Sequence, residues 1–146
     1  GALPPVIGWT IATGNITLEP ILLFLMIFFW TPSHFWALSL YKTEDYKKAN
    51  IPMLPVIAGI KTTKINIFAY SMILFVVALT PFFFSYTGFV YLLFAVVLSF
   101  YYIYLCYKLL IEKNFQLEKT VAKKIFFFSI LYLFLIFTII LIDNIL

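Results

Sequence analysis

Long uninterrupted runs of apolar residues dominate the chain, and they occur four times, at residues 18–40, 65–85, 88–107 and 125–142. Each run can form about 20 residues of helix, the length that crosses a bilayer. Strands of a membrane barrel are shorter and alternate apolar with polar residues, whereas FFFSILYLFLIFTIILI has apolar neighbours on every side. The pattern therefore predicts an all-α fold, a polytopic transmembrane bundle of about four spanning helices.

The composition agrees with a chain that is surrounded mostly by lipid. Hydrophobic residues make up 64% of the chain and charged residues only 11%, with a mean hydropathy of +1.07. Soluble domains carry about 25% charged residues, and a soluble core of this size could not enclose so many Phe, Leu and Ile side chains. The lipid bilayer is therefore the expected environment.

The positive charges indicate how the helices are oriented. All ten are lysines, and they lie in two segments only, residues 41–64 and 108–124. Lysine-rich loops stay on the cytoplasmic side of a membrane, so both segments are predicted to be cytoplasmic and the uncharged turn SYTG to face outside. The net charge of +4 then reflects topology and contact with anionic lipid headgroups, and no nucleic-acid binding is expected.

One stretch, HFWALSLYKTEDYKKANIPMLPV at residues 34–56, concentrates the sole histidine of the chain, two acids and three lysines. If the first spanning helix continues beyond the membrane, residues at spacings of 4, 3, 4 and 4 share one of its faces. These residues are Trp30, His34, Ala37, Tyr41 and Asp45. The predicted stripe leads from the depth of the lipid to a carboxylate.

The acids and lysines of this stretch have the chemistry of a metal–diphosphate site. Magnesium prefers one or two carboxylates together with phosphate oxygens and water, and a lysine supplies positive charge to the same phosphate. Glu44 and Asp45 are the candidate magnesium ligands, and Lys42 is the candidate diphosphate partner. Lys48 lies four residues after Glu44, where the two side chains can pair on a helix. The alternative is a solvated, charged helix end without a catalytic role.

The apolar segment that follows, ANIPMLPVIAGI at residues 49–60, is interrupted by Pro52, Pro55 and Gly59. Prolines prevent it from continuing a helix, and it is too short to cross a bilayer. We expect a re-entrant or interfacial segment, which is either a simple surface loop or a lid that keeps water from a reactive intermediate.

Three motifs, GALPPVIGW, WTPSHFWALSLY and EDYKKANIPMLPV, resemble segments of the protohaem IX farnesyltransferases, a family within the membrane prenyltransferase superfamily. The resemblance runs in order along essentially the whole chain. It implies a bundle in the bacterial inner (plasma) membrane whose two acidic motifs hold magnesium and an allylic diphosphate. The implied reaction transfers a farnesyl group from farnesyl diphosphate to a vinyl group of protohaem IX (haem b). The haem O produced serves haem–copper oxidases, whose assembly proteins are the implied partners.

Two departures from the family pattern matter. Family members are about twice as long, and their first acidic motif has no counterpart here, so residues 1–146 are interpreted as the C-terminal half of a larger prenyltransferase bundle. The second motif, DRxDD in the superfamily, is matched by YKTED, with Tyr41 in place of an aspartate and Lys42 in place of an arginine. Asp45 is then the strongest metal candidate and Glu44 the second. The resemblance assigns catalysis to Asp45, Lys42 and Tyr41.

Contacts with the substrates are assigned to His34, Trp36, Tyr46 and Lys48. The ring of Tyr41 or Trp36 could stabilise an allylic cation, although either could equally belong to the packing. His34 has three open roles, because it could ligate the haem iron, contact a propionate or bond to a neighbouring helix. Two other functions also stay open: a membrane polyprenyltransferase that uses a quinone precursor, and a non-enzymatic transporter or haem-handling subunit.

Overall fold

The computed structural model describes residues 2–51 and 59–145, without the side chains of Thr43, Glu44 and Tyr46. This part of the chain forms helices and no strands: α1 (Pro4–Thr13), α2 (Leu18–Tyr41), α3 (Thr43–Lys48), α4 (Ile60–Phe83), α5 (Phe89–Ile111) and α6 (Phe115–Ile145). Helices α2, α4, α5 and α6 are each long and apolar enough to cross a membrane. The prediction of an all-α bundle with four spanning helices is confirmed.

The observed helices extend the predicted spans mainly at the ends that carry lysines. Helix α4 begins at Ile60 rather than at residue 65, and α6 begins at Phe115 rather than at residue 125. Asn114 explains the early start of α6, because its side-chain oxygen accepts hydrogen bonds from the N–H groups of Gln116 and Leu117, at 2.9 and 3.2 Å. Such a cap provides partners for N–H groups that the first turn of a helix leaves unpaired.

The four long helices form a ring in which each one packs against two others. Helix α2 packs against α4 and α6, and α5 packs against the same two helices, while α1 packs against α2. The C-terminal ends of α2 and α5 lie beside the N-terminal ends of α4 and α6, as the contacts of Lys64 with Glu118 and the Glu112 carbonyl and of Lys123 with Tyr41 show. We call this the lysine end of the bundle.

Small residues occupy the helix contacts, where they let the backbones approach closely. The buried alanines and serines within the long helices are Ala37, Ala78, Ala95, Ala122, Ser33, Ser39, Ser71, Ser99 and Ser129. Two serine hydroxyls bond across the helix interfaces: Ser33 of α2 to the Tyr102 hydroxyl of α5 at 2.7 Å, and Ser99 of α5 to the Tyr132 hydroxyl of α6 at 2.9 Å. The hydrophobic effect does not drive helices to associate within lipid, so these hydrogen bonds and close packing stabilise the bundle.

An ion pair ties α4 to α6 at the lysine end. Lys64 Nζ lies 2.5 Å from Glu118 Oε1 and donates to the backbone carbonyl of Glu112 at 2.6 Å. The side chains of Lys64 and Glu118 are 7% and 16% exposed. Lys64 therefore differs from the lysines expected to contact lipid headgroups, because protein oxygens enclose its ammonium group.

Candidate functional site

His34 lies in the interface between α2 and α6, where neighbouring side chains hold its ring. The imidazole stacks on Trp30 at a centroid distance of 4.3 Å and on Phe126 at 4.7 Å, with interplanar angles of 17° and 20°. Its Nδ1 lies 2.6 Å from Ser129 Oγ, and the residue is 8% exposed. Of the three roles left open for His34, a bond to a neighbouring helix is observed.

Ser129 anchors two side chains that α2 directs towards α6. Its backbone carbonyl accepts the Trp30 indole N–H at 2.8 Å, while its hydroxyl contacts His34. The hydroxyl also lies 2.6 Å from the carbonyl of Phe126, three residues earlier in α6. Since Ser129 is fully buried, one turn of α6 sets the positions of both Trp30 and His34.

The inward face of α2 agrees with the predicted stripe as far as Tyr41. Ala37 is fully buried and His34 nearly so, and the half-buried rings of Trp30 and Tyr41 pack against the core. The spacing of these four residues therefore identified the face of α2 that packs into the bundle.

The stripe does not continue to Asp45, because α2 ends at Tyr41. Lys42 has φ −117° and ψ 31°, outside the helical region, and α3 begins at Thr43 as a separate helix. The expectation of one continuous face from His34 to Asp45 is therefore wrong. Asp45 is exposed on α3.

Positive charge surrounds the junction between α2 and α3, residues 41–48, which we call the mouth segment. The Nζ atoms of Lys42 and of Lys123 on α6 lie 5.8 and 5.5 Å from the centre of the Tyr41 ring. Both distances are within the range in which a ring attracts a cation. Asp45 provides a carboxylate three residues after Lys42, so the mouth segment has the mixed charge that a metal-bound polyanion requires.

The chemistry of Asp45 fits part of a magnesium site. Magnesium needs one or two protein carboxylates and completes its octahedral shell with phosphate oxygens and water. The side chain of Glu44, the second candidate ligand, lies outside the described residues. Among the described side chains, no three His, Cys, Asp or Glu residues come together as a metal site. Asp45 can therefore contribute one protein carboxylate to a magnesium site, whose remaining ligands would be phosphate oxygens, water or groups beyond the described side chains.

Trp36 lies on a different side of α2 from His34. Its ring meets Tyr70 of α4 edge-on at 5.1 Å, and both rings line a cavity of about 390 Å³ together with Thr31 and Pro32. His34 does not line this cavity.

Lys48 is exposed at the end of α3. The side chain of Tyr46 and residues 52–58, which contain most of the predicted lid, lie outside the described part of the chain.

Three residues on α6 were not foreseen as parts of the site: Phe126 and Ser129, which contact His34, and Lys123, which contacts Tyr41. The position of Ser129 could have been recognised from the sequence, because a polar side chain within the apolar run of a spanning helix usually has a partner inside the protein. The contact of Lys123 with Tyr41 joins residues far apart in sequence, and no local pattern indicates it.

Comparisons with known proteins find relatives along the whole chain. The model of the UbiA prenyltransferase family matches residues 1–131. The chain is 58% identical over its whole length to the protoheme IX farnesyltransferase of Pelagibacter ubique, covering 48% of that protein. It is 47% identical over 99% of its length to the enzyme of that name from Legionella pneumophila, covering 48% of it, and 43% identical over its whole length to that from Parvibaculum lavamentivorans, covering 46%.

The chain thus spans about half the length of these curated relatives. No solved structure matches it. With four helices of membrane-spanning length and this family match, it is a multi-pass membrane protein.

Proposed function

Because this chain belongs to the UbiA prenyltransferase family, we propose that it is the C-terminal half of an enzyme that transfers a farnesyl group from farnesyl diphosphate to a vinyl group of protohaem IX. The observation that carries the proposal is the 58% identity, along all 146 residues, to a protoheme IX farnesyltransferase. The alignment includes both His34 and the mouth segment. We place the enzyme in the bacterial inner membrane with its lysine end in the cytoplasm, supplying haem O to haem–copper oxidases and their assembly proteins.

The mouth segment binds the diphosphate in this proposal. Lys42 and Lys123 supply positive charge to the diphosphate, which leaves with the electron pair of the broken carbon–oxygen bond. Tyr41 lies within reach of both ammonium groups and orients them. Asp45 and Glu44 would hold magnesium, which, when bound, neutralises part of the negative charge of the diphosphate.

The haem substrate approaches from the bundle side of the mouth segment. Its vinyl π electrons form the new carbon–carbon bond with the allylic cation. Water then adds to the cation left on the haem side chain and loses a proton, which gives a hydroxyethylfarnesyl group. His34 lies seven residues before Tyr41 on α2, about 10 Å along the helix, at a depth suited to contact the tetrapyrrole. Trp36, Tyr46 and Lys48 are retained as further proposed substrate contacts.

The decisive experiment measures haem O formation and diphosphate release by the complete protein, in which this half is joined to an N-terminal half. Asp45→Asn removes a negative charge but keeps an oxygen acceptor, so turnover should fall by roughly two orders of magnitude, the loss typical of one electrostatic stabiliser. The matched control is Asp143→Asn, which changes the only other aspartate of the chain, on the end of α6 opposite the lysines, and should keep normal turnover.

Two results would contradict this proposal. Near-normal turnover of Asp45→Asn at limiting magnesium would show that the carboxylate is only a solvated helix end. Haem O production by residues 1–146 alone would show that no second half is needed.

A further inference from the structure

The contacts of the Ser129 hydroxyl determine which nitrogen of His34 carries the proton. Its Oγ lies 2.6 Å from the Phe126 carbonyl oxygen and 2.6 Å from His34 Nδ1. A hydroxyl has one proton and can donate only one hydrogen bond. The carbonyl oxygen cannot donate, so both contacts are hydrogen bonds only if Ser129 donates to Phe126 and His34 Nδ1–H donates to Ser129.

The other tautomer is disfavoured by the same geometry. If the proton were on Nε2, Nδ1 would be an acceptor, and one of the two 2.6 Å contacts would bring lone pairs together. In the low-polarity interior of a membrane bundle such an unsatisfied contact is costly. Ser129 is fully buried, so water cannot replace the missing partner.

In a neutral imidazole, the proton on Nδ1 leaves a lone pair on Nε2. Trp30 and Phe126 stack on the imidazole, so ligand access is restricted to its edge. Within the described part of the chain, no residue forms a hydrogen bond with Nε2. Nε2 is also not among the fully buried polar atoms that lack a hydrogen-bond partner, so it is not completely enclosed by protein. The free edge of the ring therefore presents an electron-pair donor.

We propose that Ser129 is a positioning residue that fixes His34 in the Nδ1–H tautomer, so that the group offered to the substrate is the lone pair of Nε2. The inference rests on the proposed function for the identity of the substrate. It separates the roles that the sequence left open, because an Nε2 lone pair can bind haem iron but cannot donate a hydrogen bond to an ionised propionate. In metal-binding histidines, a hydrogen bond from one ring nitrogen likewise orients the other nitrogen towards the metal.

The tautomer is tested by nitrogen NMR of the complete protein labelled with ¹⁵N-histidine, without haem or farnesyl diphosphate. The His34→Gln variant identifies the His34 signals, because they disappear from its spectrum. We expect a neutral imidazole protonated at Nδ1, and a shift of population towards the Nε2–H form in Ser129→Ala. Ser129→Ala keeps the backbone carbonyl that accepts the Trp30 N–H, so it removes the hydroxyl alone.

The matched control is Ser99→Ala, which removes an equally buried hydroxyl that bonds to Tyr132 and should leave the tautomer of His34 unchanged. An Nε2–H signal in the unmodified protein would overturn the inference. Equal shifts in Ser129→Ala and Ser99→Ala would also overturn it, because they would reflect general loosening of the bundle.

The consequence for the substrate is tested by the absorption spectrum of added ferric haem, also without farnesyl diphosphate. Ser129→Ala should weaken haem affinity about 10- to 100-fold, as loss of a partner to a metal-binding histidine does, and His34→Gln should abolish the spectrum of a nitrogen-bound iron. If His34→Gln keeps that spectrum while the unmodified protein makes haem O, the assignment of Nε2 fails and the proposed function stands. If the unmodified protein neither binds haem nor makes haem O, both fail.

Discussion

Removing the charge of Glu118 should destabilise the bundle more than any exposed charge change at the lysine end. The carboxylate accepts a hydrogen bond from Lys64 Nζ at 2.5 Å, and both side chains are largely shielded from solvent. Among the residues that the structure describes, the Lys64 ammonium in Glu118→Ala keeps only the Glu112 carbonyl, at 2.6 Å. A buried cation would then remain without a counter-charge between α4 and α6.

The magnitude follows from this enclosure. Breaking a buried ion pair by removing one partner costs about 3–5 kcal/mol, because the other charge stays desolvated. The remaining Glu112 carbonyl and the 16% exposure of Glu118 favour the lower limit, about 3 kcal/mol of unfolding free energy. In Lys64→Met the unpaired charge is that of Glu118, which is the more exposed partner and can be hydrated. We therefore expect a smaller loss of unfolding free energy, about 1–2 kcal/mol.

The assay is reversible unfolding of the complete protein in mixed micelles, with the double variant Lys64→Met/Glu118→Ala closing a double-mutant cycle. The double variant should lose less free energy than the sum of the single variants, by at least about 1 kcal/mol. Lys61→Met is the control, since Lys61 is exposed on the same helix and should change stability by less than about 0.5 kcal/mol. Additive losses, or a loss for Lys61→Met equal to that for Glu118→Ala, would refute the reasoning.

Two further predictions concern topology and the opposite end of the bundle. In a Cys106→Ala background, an impermeant thiol reagent added to intact cells should label Ser85→Cys but not Lys113→Cys, because lysine-rich loops stay in the cytoplasm. Equal labelling of the two cysteines would contradict the predicted orientation. Asp143 accepts a hydrogen bond from the Gly88 N–H at the start of α5, so Asp143→Ala should cost about 1 kcal/mol of unfolding free energy. Asp143→Asn keeps an oxygen acceptor and should lose less unfolding free energy than Asp143→Ala. Equal losses for the two variants, measured in micelles, would exclude this hydrogen bond as the cause.

The fold was predictable because hydropathy alone determines where a helix must cross a bilayer. The number of spanning helices and the all-α class followed from the apolar runs. The early start of α6 was missed because it depends on the Asn114 cap and on residues such as Gln116 and Lys119, which favour helix without being apolar. The enclosure of Lys64 was missed because its partner, Glu118, lies on a distant helix.

The site was predictable only in part. The spacing of His34, Ala37 and Tyr41 identified the inward face of α2 correctly, since three- and four-residue steps follow the helix period. The same extrapolation failed at Asp45, because the backbone leaves the helical region at Lys42 and the stretch contains no proline or glycine to signal this. The contact of His34 with Ser129 spans 95 residues of sequence and depends on how α2 and α6 pack.

The polar side chains of this half divide into two groups with different consequences. Inside the bundle, Ser33, Ser99 and Ser129 have hydroxyl or imidazole partners on neighbouring helices, so the half-bundle satisfies these groups itself. In the mouth segment, Asp45 and Lys42 are exposed, and among the described residues Asp45 belongs to no group of three or more potential metal ligands. Under the proposed function this division is expected, because an internally satisfied scaffold can hold His34 in place while the diphosphate and the other half complete the charges of the mouth segment.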